Sequence, residues 1–175
     1  MKNLRLILLL VLGLTVTGLI IYFFGFYTYF QSTTVNEALP PVSEEMMIAD
    51  ENGEMIAPEP SIIATGSFVD ADLLHTGEGD AKVISYPDGK TYLRFENFSV
   101  VNGPDVRVYL SPAAVPGRSL ESLGDYVDLG PLKGNKGDQN YELPEGADLG
   151  SVVLWCEDFG VLFPYASLTS TSEAL

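Results

Sequence analysis

The chain has 175 residues, and its 24 Asp and Glu against nine Lys and Arg give a formal net charge of −15 at pH 7. A surface this acidic repels nucleic acid, so we expect no nucleic-acid partner. The single cysteine, Cys156, excludes an internal disulfide. With His75 as the only histidine, the iron–sulfur and structural zinc sites that need four such ligands are also excluded, unless another chain supplies ligands.

The N-terminal segment, residues 6–30, predicts a transmembrane helix or uncleaved signal anchor. It has no charged residue and exceeds the ~20 apolar residues that span a bilayer. A cleaved signal peptide has a shorter core, of about 7 to 15 residues, and a small-residue cleavage site. Lys2 and Arg5 precede the segment and only acids follow it closely. The positive-inside bias therefore places residues 1–5 in the cytoplasm and the rest of this single-pass cell-membrane protein outside.

The next segment, residues 31–61, predicts a disordered acidic linker. It contains four prolines, seven acidic residues and no basic residue, and its apolar residues show no period. Such a segment repels itself and lacks the apolar content to fold alone. A flexible chain of this length spans on the order of 30 Å. We expect it to act as a stalk that holds the domain clear of the headgroups.

Residues 62–168 predict one all-β domain, followed by a short tail at 169–175. Runs at 79–86, 90–98 and 105–110 alternate between apolar and polar residues and are separated by turn residues such as Gly89. Alternation with period two places one face of each strand in the core and the other in water. We expect a sandwich or barrel of antiparallel strands.

On these strands the two faces can be assigned from the alternation. Leu93 and Phe95 share the predicted core face, opposite Arg94, and Val108 is opposite Tyr109. The polar faces are predicted to be exposed to solvent.

The run 152–155 predicts a different kind of strand, because it is apolar without alternation. This pattern is typical of a central strand that is covered on both sides. Glu157 and Asp158 predict a short turn before the chain continues at 161–165. Cys156 is thus expected where a buried strand emerges at a hairpin. A short helical turn is expected at 118–124.

Five short motifs occur in a fixed order along this domain: Phe95-Glu-Asn-Phe98, Asn102-Gly-Pro-Asp105 with Val108-Tyr-Leu-Ser111, Leu132-Lys-Gly-Asn135, Gly137-Asp-Gln-Asn-Tyr141 and Val153-Leu-Trp-Cys156. Together they resemble the DM-thirteen domain, an electron-transfer domain also found in Skeletor-type surface proteins. The resemblance covers essentially residues 66–168. It implies a β-sandwich fold and a redox role in which Cys156 is a free thiol or the ligand of a prosthetic group such as haem. His75 resembles a histidine of bacterial members.

The residue counts narrow the possible redox chemistry. Blue copper needs two histidines beside a cysteine, and covalent c-type haem needs a Cys-x-x-Cys-His motif, so both are excluded. Two options remain open: non-covalent haem with Cys156, His75 or both as axial ligands, or thiol chemistry at Cys156 alone. No set of residues predicts a resident metal site.

Each candidate residue also has a structural interpretation. Cys156 can be a small buried apolar side chain, and the acids that follow it raise the pKa of a thiol, which disfavours a fast thiolate. His75 can face solvent or cap backbone. The hypothesis to be tested is that both lie at one end of the sandwich and share a ligand.

We therefore expect a membrane-anchored, extracytoplasmic redox or electron-transfer module centred on Cys156, with haem as a candidate cofactor and a redox protein as a candidate partner. The alternative is a non-catalytic surface module that binds a protein, a glycan or calcium. Either is favoured over a stand-alone enzyme, because no hydrolase or phosphate-binding motif is present.

Overall fold

The computed structural model describes residues 2–23, 31–42, 48–49, 52, 55–56 and 58–171, and its first element is an apolar helix, α1 (Lys2–Phe23). Its 22 residues span about 33 Å at 1.5 Å per residue, close to the ~30 Å of a hydrocarbon core. The helix is long and apolar enough to cross a membrane. The remainder of the predicted segment, residues 24–30, lies outside the described residues.

The rest of the described chain consists mainly of β-strands, with a 3-10 helix (Leu120–Leu123) where the sequence predicts a helical turn. The strands in chain order are β1 (Ile48–Ala49), β2 (Met55–Ile56), β3 (Ser61–Ser67), β4 (Gly77–Ser85), β5 (Thr91–Val100), β6 (Val106–Ser111), β7 (Val127–Pro131), β8 (Gln139–Leu143), β9 (Ser151–Cys156), β10 (Val161–Ser167) and β11 (Thr169–Ser170).

These strands form two facing layers. One sheet has the order β11-β3-β4-β5-β8, the other has the order β10-β9-β6-β7, and β1 pairs with β2 separately. The pairings between the named strands are antiparallel. The predicted all-β antiparallel sandwich is confirmed.

The main core lies between the two sheets and follows the predicted alternation. Leu93 and Phe95 of β5 face Val152 and Leu154 of β9, and all four are fully buried. The ring of Phe95 packs edge-on against that of Phe68, with 5.0 Å between centroids. Burial of one such side chain contributes about 1.5 to 3 kcal/mol, so these alternating positions carry much of the stability of the sandwich.

The outer face of the four-stranded sheet is also buried, which corrects the expectation that Tyr109 faces water. Tyr109 is 2% exposed and packs with Val153 and Trp155. Leu123 of the 3-10 helix covers this cluster. The alternation alone could not reveal the cover, because it comes from the segment that follows the strand.

The central position of β9 is confirmed by this second cluster. Val152 and Leu154 point into the main core, whereas Val153 and Trp155 point into the outer cluster. β9 therefore has no solvent-exposed face, in agreement with its unbroken apolar sequence.

The first described part of the predicted linker, residues 31–42, lies along the domain, and we call it the strap. Thr34 forms a parallel bridge with Lys136. The backbone amides of Val35 and Glu37 donate to the carbonyls of Lys136 and Asp138, each at 2.9 Å. The free stalk expected from composition therefore does not begin at residue 31. Backbone partners in the loop 132–138 order the strap without any apolar pattern in its sequence.

The sandwich has two distinct ends. The Cys156 end is formed by the loop 101–105, between β5 and β6, and the hairpin 157–160, between β9 and β10. The Gly89 end is formed by the turn 86–90, in which Gly89 has a φ of +85°. The ten residues of β5 separate these ends by about 30 Å.

Candidate functional site

Cys156 is the last residue of β9 and lies directly before an exposed hairpin. It pairs with Val106 of β6 on one side and Val161 of β10 on the other. Its side chain is a free thiol with 0% exposure, whereas residues 157–160 are exposed. The predicted position, where a buried strand emerges at a hairpin, is confirmed.

The loop 101–105 covers the sulfur. Cys156 Sγ donates a hydrogen bond to the carbonyl oxygen of Pro104 at 2.9 Å. The amide of Glu157 donates to the carbonyl of Asp105 at 3.0 Å, which fastens the loop to the hairpin. Asp105 adopts a φ of +44°, an uncommon conformation for a residue other than glycine. Access to the thiol therefore requires this loop to move.

The surroundings of Cys156 favour the protonated thiol. Burial is the largest influence and raises the pKa of the Cys156 thiol, and the carboxylates of Asp158 and Asp105 raise it further. The backbone amides of Phe159 and Asp158 oppose this shift, since they donate toward the sulfur. The sequence predicted the direction from the neighbouring acids, but burial is the main cause.

His75 lies at the same end of the sandwich, in the connection between β3 and β4. Its Nδ1 is 2.9 and 3.0 Å from the two carboxylate oxygens of Asp72. Because a carboxylate only accepts, Nδ1 carries a proton and donates it to Asp72 in a hydrogen bond. Hydrogen bonds from the His75 ring and from the amides of Leu74 and His75 lower the pKa of Asp72 to about 2.

Phe163 connects the surroundings of the two candidate residues. The ring of His75 packs on that of Phe163 with 4.6 Å between centroids. Gly103 also lies against this ring, since a Cβ at Gly103 would be 2.7 Å from Phe163 Cζ. The structure thus brings His75 and Cys156 to one end, linked through Phe163 and the loop that covers the sulfur, and no hydrogen bond joins the two among the described residues.

A haem bound by both residues does not fit this arrangement. The sulfur of Cys156 is sealed and donates to Pro104, so it has no open side for a metal. Two cavities at this end, of about 430 and 270 Å³, are lined by other residues, including Thr76 in the first and Gly103 in the second. Neither cavity is lined by Cys156 or His75. Of the two redox options, thiol chemistry at Cys156 is therefore the remaining candidate.

Within the described residues no group of three or more His, Cys, Asp and Glu side chains is placed to hold a metal ion.

Two polar groups near Cys156 were not singled out from the sequence. The hydroxyl of Tyr109 donates to Glu157 Oε1, and the buried Nε1 of Trp155 has no hydrogen-bond partner among the described residues. The ring of Tyr109 also lies 4.6 Å from that of Tyr126. The sequence signal for this outer cluster was the lack of alternation in β9, because it predicts that Trp155 is buried on the face of the sheet opposite the core that holds Cys156.

The comparisons with known proteins bear on this same part of the chain. The family model described as Electron transfer DM13 matches residues 67–168. The search of the curated proteins returned no match, and neither did the search of the solved structures. The matched span exceeds half of the 175 residues and includes strands β4 to β10, the loop 101–105 and Cys156. The resemblance seen in the sequence is confirmed, and the chain belongs to the DM13 electron-transfer family.

Proposed function

We propose that this chain is a membrane-anchored redox module that works outside the cytoplasm, with the Cys156 thiol as its reactive group. The observation that carries the proposal is the position of this thiol, at the end of a central strand beneath one loop and beside an exposed hairpin. The apolar helix supports anchoring. The basic residues Lys2 and Arg5 before it, with acids after it, support an external domain.

The chemistry that a single thiol supports is thiol–disulfide exchange with a disulfide of a partner. Cys156 Sγ loses its proton and attacks one sulfur of the disulfide. The Cys156–S–S–R bond forms, the original S–S bond breaks, and the leaving thiolate takes up the proton. A second thiol then attacks the mixed disulfide, restores Cys156 and leaves as a new disulfide. In each such exchange one donor thiol is oxidised to the disulfide level and one sulfur of the acceptor disulfide is reduced to a thiol.

The described residues contribute to this exchange in two ways. The amides of Phe159 and Asp158 stabilise the thiolate that forms during attack. The loop 101–105 excludes solvent until it opens, because Pro104 accepts the hydrogen bond of the thiol. We infer a slow, gated thiol that reacts when a partner displaces the loop.

The test uses the full chain in lipid nanodiscs, oxidised glutathione as the disulfide, and intact-mass spectrometry as the readout. We expect one glutathione adduct on Cys156, formed while near-ultraviolet circular dichroism shows a folded sandwich, and removed by dithiothreitol. The matched control is Gly89→Ala, which destabilises the turn at the far end by about 1 kcal/mol. If the thiol reacts through local opening of the loop 101–105, the rate of adduct formation in Gly89→Ala equals that of the wild type.

The opposite results would overturn the proposal. An adduct rate that rises about fivefold in Gly89→Ala, the factor that corresponds to 1 kcal/mol, shows that the thiol reacts only after global unfolding. A Soret band that forms with added haem and is lost in both Cys156→Ser and His75→Ala would assign the site to haem instead. Binding of a surface ligand that is unchanged in Cys156→Ser, without any adduct in the wild type, would favour the binding module.

A further inference from the structure

The strap follows the full length of the sandwich in one direction. At its start, the side chain of Asn102 donates from Nδ2 to the carbonyl of Gln31 at 3.2 Å. Near its other end, the hydroxyl of Tyr86 donates to the carbonyl of Pro40 at 2.9 Å. Asn102 belongs to the loop at the Cys156 end and Tyr86 to the turn at the Gly89 end. The chain coming from the membrane helix therefore reaches the domain at the Cys156 end.

Charged contacts hold the middle of the strap. Lys133 Nζ lies 2.8 and 2.9 Å from the carboxylate oxygens of Glu37, and the amide of Asn140 donates to the same carboxylate at 2.7 Å. Arg94, only 6% exposed, donates from Nη1 to the Glu37 carbonyl at 2.6 Å. Burial raises the pKa of Glu37, but the hydrogen bonds from Lys133 and the Asn140 amide, with the positive charges of Lys133 and Arg94, outweigh burial and hold the pKa below its ordinary value.

Two glycines make room for the strap backbone. A Cβ at Gly134 would lie 2.6 Å from the carbonyl oxygen of Thr33, and one at Gly137 would collide with the carbonyl oxygen of Val35. Only glycine allows so close an approach of two backbones. The strap is therefore an integral part of the domain.

The length of chain before the strap limits how far the Cys156 end can be from the membrane. The eight chain steps from Phe23, the end of α1, to Gln31 span at most about 29 Å. A free linker up to residue 61 would have attached the domain at Ser61 instead. Ser61 pairs with Ser85, at the Gly89 end, so the strap reverses which end of the sandwich is held near the bilayer.

We infer that the Cys156 end faces the membrane, and that the redox partner is a protein confined to the same membrane with a basic contact surface. The identity of the partner as a redox protein rests on the proposed function. Its basic surface follows from the exposed carboxylates that surround the thiol, at Asp105, Glu157 and Asp158. Opposite charge steers such a partner onto this end and speeds association.

The orientation is tested by energy transfer in nanodiscs whose lipid headgroups carry an acceptor dye. The donor dye is placed on Asp158→Cys or on Asp88→Cys, both in a Cys156→Ala background and both on exposed positions that lose one negative charge. We expect transfer from the Asp158 position to exceed that from the Asp88 position several-fold, because the two ends are about 30 Å apart. Equal or reversed transfer would overturn the orientation.

Two further variants make this result specific to the strap. A flexible Gly/Ser insertion of about 20 residues after residue 30, with a root-mean-square length of about 25 Å, is expected to remove most of the difference. Release of the strap by Gly134→Val with Gly137→Val is expected to abolish the excess transfer from the Asp158 position, because the domain then hangs from Ser61 on a longer free chain. If this double variant unfolds, Glu37→Gln with Lys133→Met serves the same purpose. A difference that survives both strap release and the insertion contradicts the inference.

The partner chemistry is tested with the wild-type chain and a lipid-anchored peptide that carries a pyridyl disulfide. A peptide rich in lysine is expected to form the mixed disulfide with Cys156 faster than its glutamate counterpart, with the difference shrinking at high ionic strength. Equal rates at low salt would overturn the basic partner. Failure of Cys156 to react with any disulfide, soluble or anchored, refutes the redox function but leaves the energy-transfer result intact, so the two claims fail separately.

Discussion

Cys156 is subject to opposing influences that together set its reactivity. Burial and the neighbouring carboxylates raise the pKa of the thiol, while the amides of Phe159 and Asp158 lower it. Because a thiolate is the reactive form, the balance predicts a slow reaction at neutral pH.

The pH dependence of alkylation checks this balance. We expect the rate of iodoacetamide reaction with Cys156 to keep rising about tenfold per pH unit beyond the ordinary thiol pKa of about 8.5. The exposed cysteine of Asp88→Cys in a Cys156→Ala background should level off near that ordinary value. Since the folded state holds its proton more tightly than the unfolded state, Cys156 also makes stability fall as pH rises above about 8.5. Levelling of both rates at the same pH would refute the raised pKa.

Asp72 offers a second pH signature, with the opposite sign. Its pKa of about 2 lies below the ordinary value because the His75 ring and two backbone amides donate to the carboxylate. Its contribution to stability is therefore complete above its unfolded pKa of about 4 and lost as pH falls toward 2.

Asp72→Asn is the variant that isolates this effect. The asparagine keeps one oxygen to accept from the amides of Leu74 and His75, but it loses the charge. We expect a lower Tm than the wild type at pH 5, with the gap closing between pH 4 and pH 2. A gap of constant size across this range would show that the carboxylate charge contributes nothing.

At the scale of elements, the strap is stabilised by close contact between its backbone and that of the domain. Substitution at two glycines distinguishes the loss of this contact from the strain that any side chain causes at a positive φ. Gly137 and Gly89 have similar φ values, of +90° and +85°, but only Gly137 lies against the strap backbone. Gly137→Ala is expected to speed hydrogen exchange at the amides of Val35 and Glu37 at least tenfold more than Gly89→Ala does. Equal exchange in both variants would mean that the strap is not held by this contact.

The loop 101–105 is the second element with a functional prediction. An alanine at Gly103 would press on the ring of Phe163, which has no free space in the core. We expect Gly103→Ala to displace the loop and to raise the rate of glutathione adduct formation at Cys156. Gly89→Ala, which is expected to lose a similar amount of stability at the far end of the sandwich, should leave that rate unchanged. A Gly103→Ala rate equal to that of the wild type would argue against the loop as the gate.

For the molecule as a whole, the sequence predicted those features that depend on local periodicity. Alternation at Leu93 and Phe95 and the turn at Gly89 predicted the β4–β5 hairpin, because strand periodicity and turn chemistry agree there. The absence of alternation at 152–155 predicted the central strand and the position of Cys156 at its end.

Other features depend on residues far apart in the chain, and the sequence did not reveal them. The strap is ordered by pairs such as Glu37 with Lys133, which leave no periodic pattern. The cover over Cys156 comes from Pro104, 52 residues earlier in the chain. The position of His75 at the Cys156 end was expected, but its contact with Phe163 depends on how β10 packs against the β3–β4 connection.

The redox function is tested most directly by the reduction potential of Cys156 in the full chain. The protein in nanodiscs is equilibrated across a series of glutathione redox buffers, approached from the reduced and from the oxidised side, and the mixed-disulfide fraction is measured by intact mass. A redox thiol at Cys156 is expected to give one reversible titration, identical from both directions, with the sandwich folded throughout. A thiol that stays unmodified across the series, or one modified only as the sandwich unfolds, would contradict the redox function.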